Sequence, residues 1–225
     1  MDILKKIKSK LIVSCQPVVG GPLDNESSIL SIAEASVNGG AVGLRINDKQ
    51  NVYNIKKKLN VPVIGIKKRE IKGSNVIITP FSEDITSLAD SGADIVAFDA
   101  TFRERPVEIE KLINLIHKKN CIAMADCSSV DEAINASRLG ADIVASTLSG
   151  YTTKKTPKNP DFRMISDFKN FNLQTPIIAE GRIYSPNQAQ KSIKLGAHSV
   201  VVGTAINRVE TVSYTHLTLP TNREV

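Results

Sequence analysis

The 225-residue sequence predicts a closed α/β barrel of eight parallel strands, each followed by a helix. Three observations favour this fold: the length, a repeat of about fifty residues, and the alternation of short apolar segments with amphipathic ones. A barrel of this kind needs about 200–250 residues and folds as one domain. The chain is 41% hydrophobic, 4% aromatic and free of tryptophan. Such a composition is typical of a buried parallel sheet filled by Val, Ile, Leu and Ala.

The repeat consists of four Gly-Ala pairs, each followed by a β-branched segment. The pairs begin at Gly40, Gly92, Gly140 and Gly196, a spacing about twice the roughly 25 residues of one strand–helix unit. Four further short apolar segments alternate with them, which gives eight predicted strands. In chain order these strands are 11–15, 42–46, 61–66, 94–100, 121–126, 142–148, 176–181 and 198–203.

Segments with helical spacing fill the gaps between the strands. Clear examples are residues 28–39, 107–120 and 129–140, each ending at Gly or Asn as helix C-termini often do. Ser129 followed by Glu132 predicts a capping box. The even repeat favours a closed barrel over an open doubly wound sheet, and so does the lack of a G-x-G-x-x-G motif after the first strand.

Composition and charge weigh against several classes of function. No apolar run approaches the roughly 20 residues of a membrane span, and the amino-terminal apolar stretch is too short for a signal peptide, so we expect a cytoplasmic protein without membrane contact. The net charge is +6, but the lysines are scattered and no aromatics interleave with them, which argues against nucleic acid as a partner. A mild positive field would instead attract a small phosphorylated substrate.

The cysteines do not form a metal-binding pattern. They are odd in number, lack a C-x-x-C spacing and fall within or just after apolar runs, so we expect buried reduced thiols and no metal site. The three positions are Cys15, Cys121 and Cys127.

Polar side chains stand at the predicted carboxyl ends of most strands, where barrels build their active sites. Because these ends converge on one mouth, we expect the side chains to perturb one another's pKa values. For any single residue, a stabilising polar ring is the alternative interpretation. The residues are Gln16, Arg45, Lys67, Lys68, Asp99, Asp126, Ser146, Thr147, Glu180 and Arg182.

The ends of the last two strands predict a phosphate site. A glycine just past a strand lets backbone N–H groups approach an anion, and a following helix points its amino end at it. Gly203 and Gly181 supply these glycines after strands 8 and 7, and Arg208 can add a guanidinium. Barrels commonly bind phosphate at this place.

With these residues identified, the chain resembles the N-acylmannosamine-6-phosphate 2-epimerase family. The resemblance covers about residues 9 to 208, and its most specific stretches are STLSGYT (146–152) and AEGR (179–182). It implies a TIM barrel of the ribulose-phosphate-binding type. It also implies a cofactor-free epimerase that inverts C2 of N-acetylmannosamine 6-phosphate in sialic acid and amino-sugar catabolism.

The resemblance assigns roles to individual residues. It implies that Lys68 and Glu180 are the catalytic acid–base pair, although the adjacent Lys67 makes the choice of lysine ambiguous. Strand alternation sends the two lysines to opposite faces, so only one can point into the mouth. The substrate-binding residues are then Gln16, Arg45, Asp126, Arg182 and Arg208, and the phosphate-binding residues are Gly181 and Gly203.

The resemblance stops at Arg208. Residues 209–225 are rich in Thr, carry a Pro and show no helical periodicity. We therefore divide the chain into a catalytic barrel, residues 1–208, and a non-family tail, residues 209–225, expected to be disordered or artefactual. The final barrel helix is then missing or replaced, which predicts a destabilised product.

Several alternatives stay open from the sequence. A lysine at the mouth also suits a Schiff-base aldolase or another phosphate-binding barrel enzyme. A non-catalytic sugar-phosphate-binding fragment is a further alternative, and a homodimer is left open. The long segment 146–161 is predicted to act as a lid, with a plain surface loop as the alternative.

Overall fold

A computed structural model describes residues 3–152, 156–171 and 173–217. Within them, eight parallel strands form a closed barrel in which each strand pairs with the next and the last pairs with the first. The predicted α/β barrel is therefore confirmed, and every predicted strand overlaps an observed one. The strands are β1 Leu11–Cys15, β2 Gly43–Asn47, β3 Val63–Ile66, β4 Ile95–Asp99, β5 Ile122–Asp126, β6 Ile143–Ala145, β7 Ile177–Glu180 and β8 Ser199–Val202.

Helices connect the strands around the outside of the barrel. The capping box predicted at Ser129 is confirmed, because its side chain accepts from the amide of Glu132 while the Glu132 carboxylate accepts from the amide of Ser129. The helices are α1 Ile3–Ile7, α2 Glu26–Asn38, α3 Lys49–Lys58, α4 Ser82–Asp90, α5 Ile109–Lys118, α6 Val130–Arg138, α7 Phe162–Lys169, α8 Pro186–Lys194, α9 Thr204–Asn207 and α10 Val209–Leu217.

The hydrophobic core has two layers. The inner layer fills the barrel with side chains such as Ile64, Met124 and Ile178, and Ile7 of α1 joins it from the amino-terminal side of β1. The outer layer lies between the strands and the surrounding helices. The three cysteines are free and buried, as predicted. A filled interior leaves the carboxyl ends of the strands as the place for a site.

The carboxyl end differs in part from the expectation of a disordered tail. Residues Val209–Leu217 form α10, and none of its residues is buried. A helix can form through its backbone hydrogen bonds without an apolar face. The sequence therefore did not predict this helix, because it lacks a helical periodicity of apolar residues. The preceding α9 is tied to the barrel, since Asn207 donates to the Ser14 carbonyl at 2.6 Å. Residues 218–225 lie outside the described residues, and the domain division at residue 208 stays a prediction.

Across the described ranges, none of the helices has the length and apolarity needed to cross a bilayer.

Candidate active site

A cavity of about 390 Å³ opens at the carboxyl ends of the strands. Its walls come from β1, β2, β7 and β8 and from the loops after β3 and β6. It contains every residue to which the family resemblance assigns a role except Asp126. Those residues are Gln16, Arg45, Lys68, Glu180, Gly181, Arg182, Gly203 and Arg208. The prediction that side chains distant in sequence converge on one mouth is therefore supported by geometry, while their roles stay predictions.

Arg45 forms the floor of the cavity and is 1% exposed. It binds Asp126 through two hydrogen bonds, Nη1 to Oδ1 at 3.1 Å and Nη2 to Oδ2 at 2.6 Å. Its Nη1 also lies 3.1 Å from Oε2 of Glu180. Burial disfavours the charged guanidinium, but the two carboxylates outweigh burial and raise the pKa of Arg45 above its ordinary value. Arg45 is therefore a fixed positive charge shared by two carboxylates.

Asp126 lies beneath the cavity instead of on its wall. It is fully buried at the end of β5. Its oxygens accept from Arg45 and from Oγ1 of Thr147, the latter at 2.6 Å. With both oxygens engaged inside the protein, Asp126 holds Arg45 and Thr147 in place. Its predicted contact with substrate has no support from this arrangement.

Glu180 ends β7 with a side chain only 12% exposed. Ser146 holds its backbone, because the Ser146 hydroxyl donates to the Glu180 carbonyl at 3.0 Å and accepts from its amide at 3.1 Å. Burial raises the pKa of Glu180 to about 7, although Arg45 opposes the shift. Oε2 makes no well-directed hydrogen bond within the described structure despite its proximity to Arg45. Glu180 can thus gain or lose a proton near neutral pH.

Lys67 and Lys68 point in different directions after β3. Nζ of Lys67 forms an ion pair with Asp48, at the start of α3. Lys68 lines the cavity instead, which resolves the ambiguity between the two lysines as far as orientation is concerned. Lys68 is exposed at the open mouth of the cavity. The surrounding protein still removes part of its hydration, and this loss is the main cause that lowers its pKa. Arg45 and Arg208 lower this pKa further.

The β8–β1 side of the cavity carries the predicted phosphate site. Gly203 lies at the start of α9, and a Cβ there would lie 3.3 Å from both the Cβ and the carbonyl oxygen of Ser14, so a larger residue would crowd this wall. Arg208 follows α9 and donates to the Gln16 carbonyl at 3.3 Å. Oε1 of Gln16 is buried without a hydrogen-bond partner among the described residues. An open acceptor beside an arginine suits a ligand with both hydroxyl and anionic groups.

Arg182 is committed largely to the segment 146–161. Its Nε donates to the Asn159 carbonyl at 2.8 Å, and its Nη1 donates to the Ser149 carbonyl. Its guanidinium also lies 5.1 Å from the ring centroid of Tyr151, a cation–π contact. The substrate contact predicted for Arg182 therefore competes with a role in tying this loop. Residues 153–155 of the predicted lid lie outside the described residues.

Sequence reasoning gave Tyr151 no role, and it named Thr147 and Asp99 only as polar residues at strand ends. Thr147 and Tyr151 line the cavity, and their position in the STLSGYT segment was the available signal. Asp99 is fully buried and does not line the cavity. It forms ion pairs with Arg103 at 2.6 Å and with Arg105 at 3.5 Å. In the part of the chain that the structure describes, no group of His, Cys, Asp and Glu side chains could hold a metal ion.

Comparisons with known proteins agree on one family. A sequence model of the family described as "Putative N-acetylmannosamine-6-phosphate epimerase" matches residues 29–219. Relatives carrying the corresponding 2-epimerase description include one from Haemophilus influenzae, 46% identical over 93% of this chain and 91% of the relative. Another, from Salmonella arizonae, is 47% identical over 89% of this chain and 86% of the relative.

Solved structures lead to the same family. The N-acetylmannosamine-6-phosphate 2-epimerase from Clostridium perfringens superposes with a TM-score of 0.93 at 35% identity, over 96% of each chain. A thiamine phosphate pyrophosphorylase from Pyrococcus furiosus, with a TM-score of 0.62 at 17% identity over 91% of this chain and 89% of its own, shares the fold alone. This chain therefore belongs to the N-acetylmannosamine-6-phosphate epimerase family.

Proposed function

We propose that this chain is an epimerase that interconverts N-acetylmannosamine 6-phosphate and N-acetylglucosamine 6-phosphate by inverting C2. The observation that carries the proposal is the cavity shared by Lys68 and Glu180, whose pKa values are shifted toward each other. An acid and a base are most effective when both exchange protons near the working pH. The family membership supports the same reaction.

The chemistry requires two proton transfers at one carbon. Opening of the sugar ring leaves an aldehyde at C1, which acidifies the proton on C2. One group removes that proton, the electron pair passes into an enolate, and the other group delivers a proton to the opposite face of C2. Lys68 supplies one of these groups from the loop after β3, and Glu180 supplies the other from the end of β7. No atom is oxidised or reduced, so the reaction balances with protons alone.

Arg45 is the group that stabilises the negative charge developing on the enolate oxygen. It lies between Glu180 and Asp126 with its guanidinium fixed by two hydrogen bonds. A preorganised cation beside the reacting carbon stabilises a developing enolate oxygen without having to reorient. Gly181, Gly203 and Arg208 are then left to bind the phosphate at the β7–β8 side.

The physiological setting is part of the proposal. The ligand is a small sugar phosphate, and the reaction fits amino-sugar and sialic acid catabolism in the cytoplasm. A homodimer remains a proposal to be checked by the mass of the protein in solution.

Proton NMR in heavy water tests the proposal directly. The purified chain, incubated with N-acetylmannosamine 6-phosphate, is expected to form N-acetylglucosamine 6-phosphate while the C2 proton signal of both sugars disappears through deuterium uptake. The reverse reaction has to reach the same final ratio of sugars. An unchanged C2 proton after prolonged incubation with folded protein would rule the epimerase out.

A Schiff-base aldolase is the second candidate, because Lys68 is an amine with a lowered pKa that lines the cavity. Borohydride reduction in the presence of substrate distinguishes the two. An aldolase leaves a covalent adduct on Lys68, visible by mass spectrometry, whereas we expect the epimerase to leave the lysine unmodified.

A further inference from the structure

Thr147 lies between the two carboxylates of the site. It follows β6 by two residues and lines the cavity beside Glu180. Its hydroxyl donates to Oδ1 of Asp126 at 2.6 Å. The same hydroxyl also interacts with the carboxyl group of Glu180. One side chain thus binds the buried carboxylate that holds Arg45 and lines the cavity together with the carboxyl group expected to exchange protons with the substrate.

A threonine hydroxyl has one hydrogen and two lone pairs, so it donates to only one carboxylate at a time. When Glu180 is protonated, its own O–H can donate to Thr147 while Thr147 donates to Asp126. When Glu180 is ionised, the hydroxyl can turn and donate to Glu180. Asp126 tolerates the loss, because both of its oxygens remain bound to Arg45.

We propose that Thr147 is a positioning residue whose hydroxyl follows the proton of Glu180 and holds that carboxyl group in one orientation in both protonation states. The inference rests on the proposed epimerase function and deepens it. Oε2 of Glu180 lacks a well-directed hydrogen bond within the described residues, so Arg45 alone does not fix this carboxyl group. Ser146 fixes only the backbone of Glu180.

The charged groups that face Glu180 come from three other elements. They are Arg45 on β2, Lys68 in the loop after β3 and Asp126 on β5. Replacement of Thr147 by Val leaves all three in place, since the two side chains have nearly the same shape. A change in the titration of Glu180 in that variant therefore reports the hydroxyl itself.

The experiment compares Thr147→Val with Thr147→Ser in the deuterium-uptake assay across pH. The Val variant is expected to lower kcat by about tenfold to hundredfold, the factor that one hydrogen bond to a charged group supplies, with KM within about threefold. It should also move the acidic limb of the rate profile to higher pH, because ionised Glu180 loses a donor. The Ser variant keeps the hydroxyl and should retain both the rate and the limb.

Two results would overturn the inference: a Val variant with the rate and limb of the unmodified chain, or a Ser variant as impaired as Val, which would assign the effect to the lost methyl group. Should Val prevent folding, Thr147→Ala removes the same hydroxyl with less steric demand and must give the same shift. The unmodified chain is assayed in parallel. If it takes up no deuterium, the proposed function fails; if it does and the variants behave alike, only the role of Thr147 fails.

Discussion

Asp99 and Glu180 are both carboxylates at the carboxyl end of a barrel strand, yet their surroundings differ. Asp99 ends β4 and is fully buried, with Arg103 at 2.6 Å and Arg105 at 3.5 Å. It also accepts two hydrogen bonds from Thr101, one from the amide and one from the hydroxyl. Glu180 has one arginine, Arg45, which it shares with a second carboxylate.

The ratio of arginines to carboxylates separates the two positions. Two arginines and a threonine bind one carboxylate at Asp99, which therefore holds the β4–α5 loop in place. At Glu180 one arginine serves two carboxylates, and burial raises the pKa to about 7. Strand-end position therefore provides the carboxylate, and its partners decide whether it supports the loop or exchanges protons.

The largest effect is expected at the amine that faces Glu180. Lys68→Ala should lower kcat by about a thousandfold or more, because it removes one of the two proposed proton-transfer groups. Substrate binding should persist, since the proposed phosphate-binding residues Gly181, Gly203 and Arg208 remain in place. The measurements are the deuterium-uptake rate and the substrate Kd by calorimetry.

Lys67→Ala is the matched control for that variant. Lys67 is bonded to Asp48 and does not line the cavity, so its loss should leave kcat within about threefold. Full turnover by Lys68→Ala, or equal losses in both variants, would break the assignment of the amine.

Glu180→Gln should lower kcat by about a hundredfold to a thousandfold while making the fold more stable at alkaline pH. The pKa of Glu180 is raised from 4.5 to about 7 in the folded state, so the native carboxyl group costs stability as pH rises from about 4.5 to 7. Gln imitates the protonated form. The gain in the free energy of unfolding should therefore appear above pH 5 and approach about 3 kcal/mol by pH 8. Denaturant titrations at pH 4 and pH 8 measure it, and a loss of stability at pH 8 would contradict the account.

The pH dependence of the unmodified chain follows from the same two groups. Glu180 should give kcat an acidic limb near pH 7, and Lys68 should give an alkaline limb below its usual 10.5. The substrate phosphate titrates near pH 6, so the acidic limb has to be assigned independently. A carbon NMR titration that loses one carboxyl signal in Glu180→Gln makes that assignment. A kcat that does not change between pH 6 and 9 would contradict the assignment of Lys68 and Glu180 as the acid–base pair.

Asp99→Asn should behave in the opposite way to Glu180→Gln. Removal of the charge leaves Arg103 and Arg105 without their buried counterion, so we expect a loss of about 3 kcal/mol in the free energy of unfolding. The kcat should change by less than about threefold, because Asp99 is not among the described residues that line the cavity. A large drop in kcat with unchanged stability would show that Asp99 belongs to the chemistry after all.

The sequence predicted the barrel because eight short apolar strands and a Gly-Ala repeat are local signals that tertiary contacts reinforce. It also predicted most of the cavity wall, since strand ends of a barrel must meet. Strand position alone did not separate Asp99 from Glu180. The number of arginines that bind each carboxylate depends on where loop side chains such as those of Arg103 and Arg105 point. The depth of Asp126 below the cavity floor could not be predicted either, because strand position does not encode it, and its contact with substrate stays a prediction.

The smallest effect is expected at Arg182. Like Arg105 it donates to carbonyl groups of a loop, but unlike Arg105 it lines the cavity. Arg105 donates to the carbonyls of Asp99 and Thr101, and Arg182 donates to those of Ser149 and Asn159. Lysine cannot reproduce two directed bonds from one planar group. Arg182→Lys should therefore raise KM by about threefold to tenfold with kcat nearly unchanged, while Arg105→Lys should leave KM unchanged.

Inhibition by inorganic phosphate separates loop tying from direct phosphate binding by Arg182. If Arg182 acts through the loop that carries Tyr151, the inhibition constant for phosphate should stay within about twofold of the unmodified chain while KM for the sugar phosphate rises. A parallel rise of both constants would show that Arg182 binds the phosphate itself, as the sequence predicted. Arg182 would then differ from Arg105 in a second way, because its guanidinium would bind the ligand as well as two loop carbonyls.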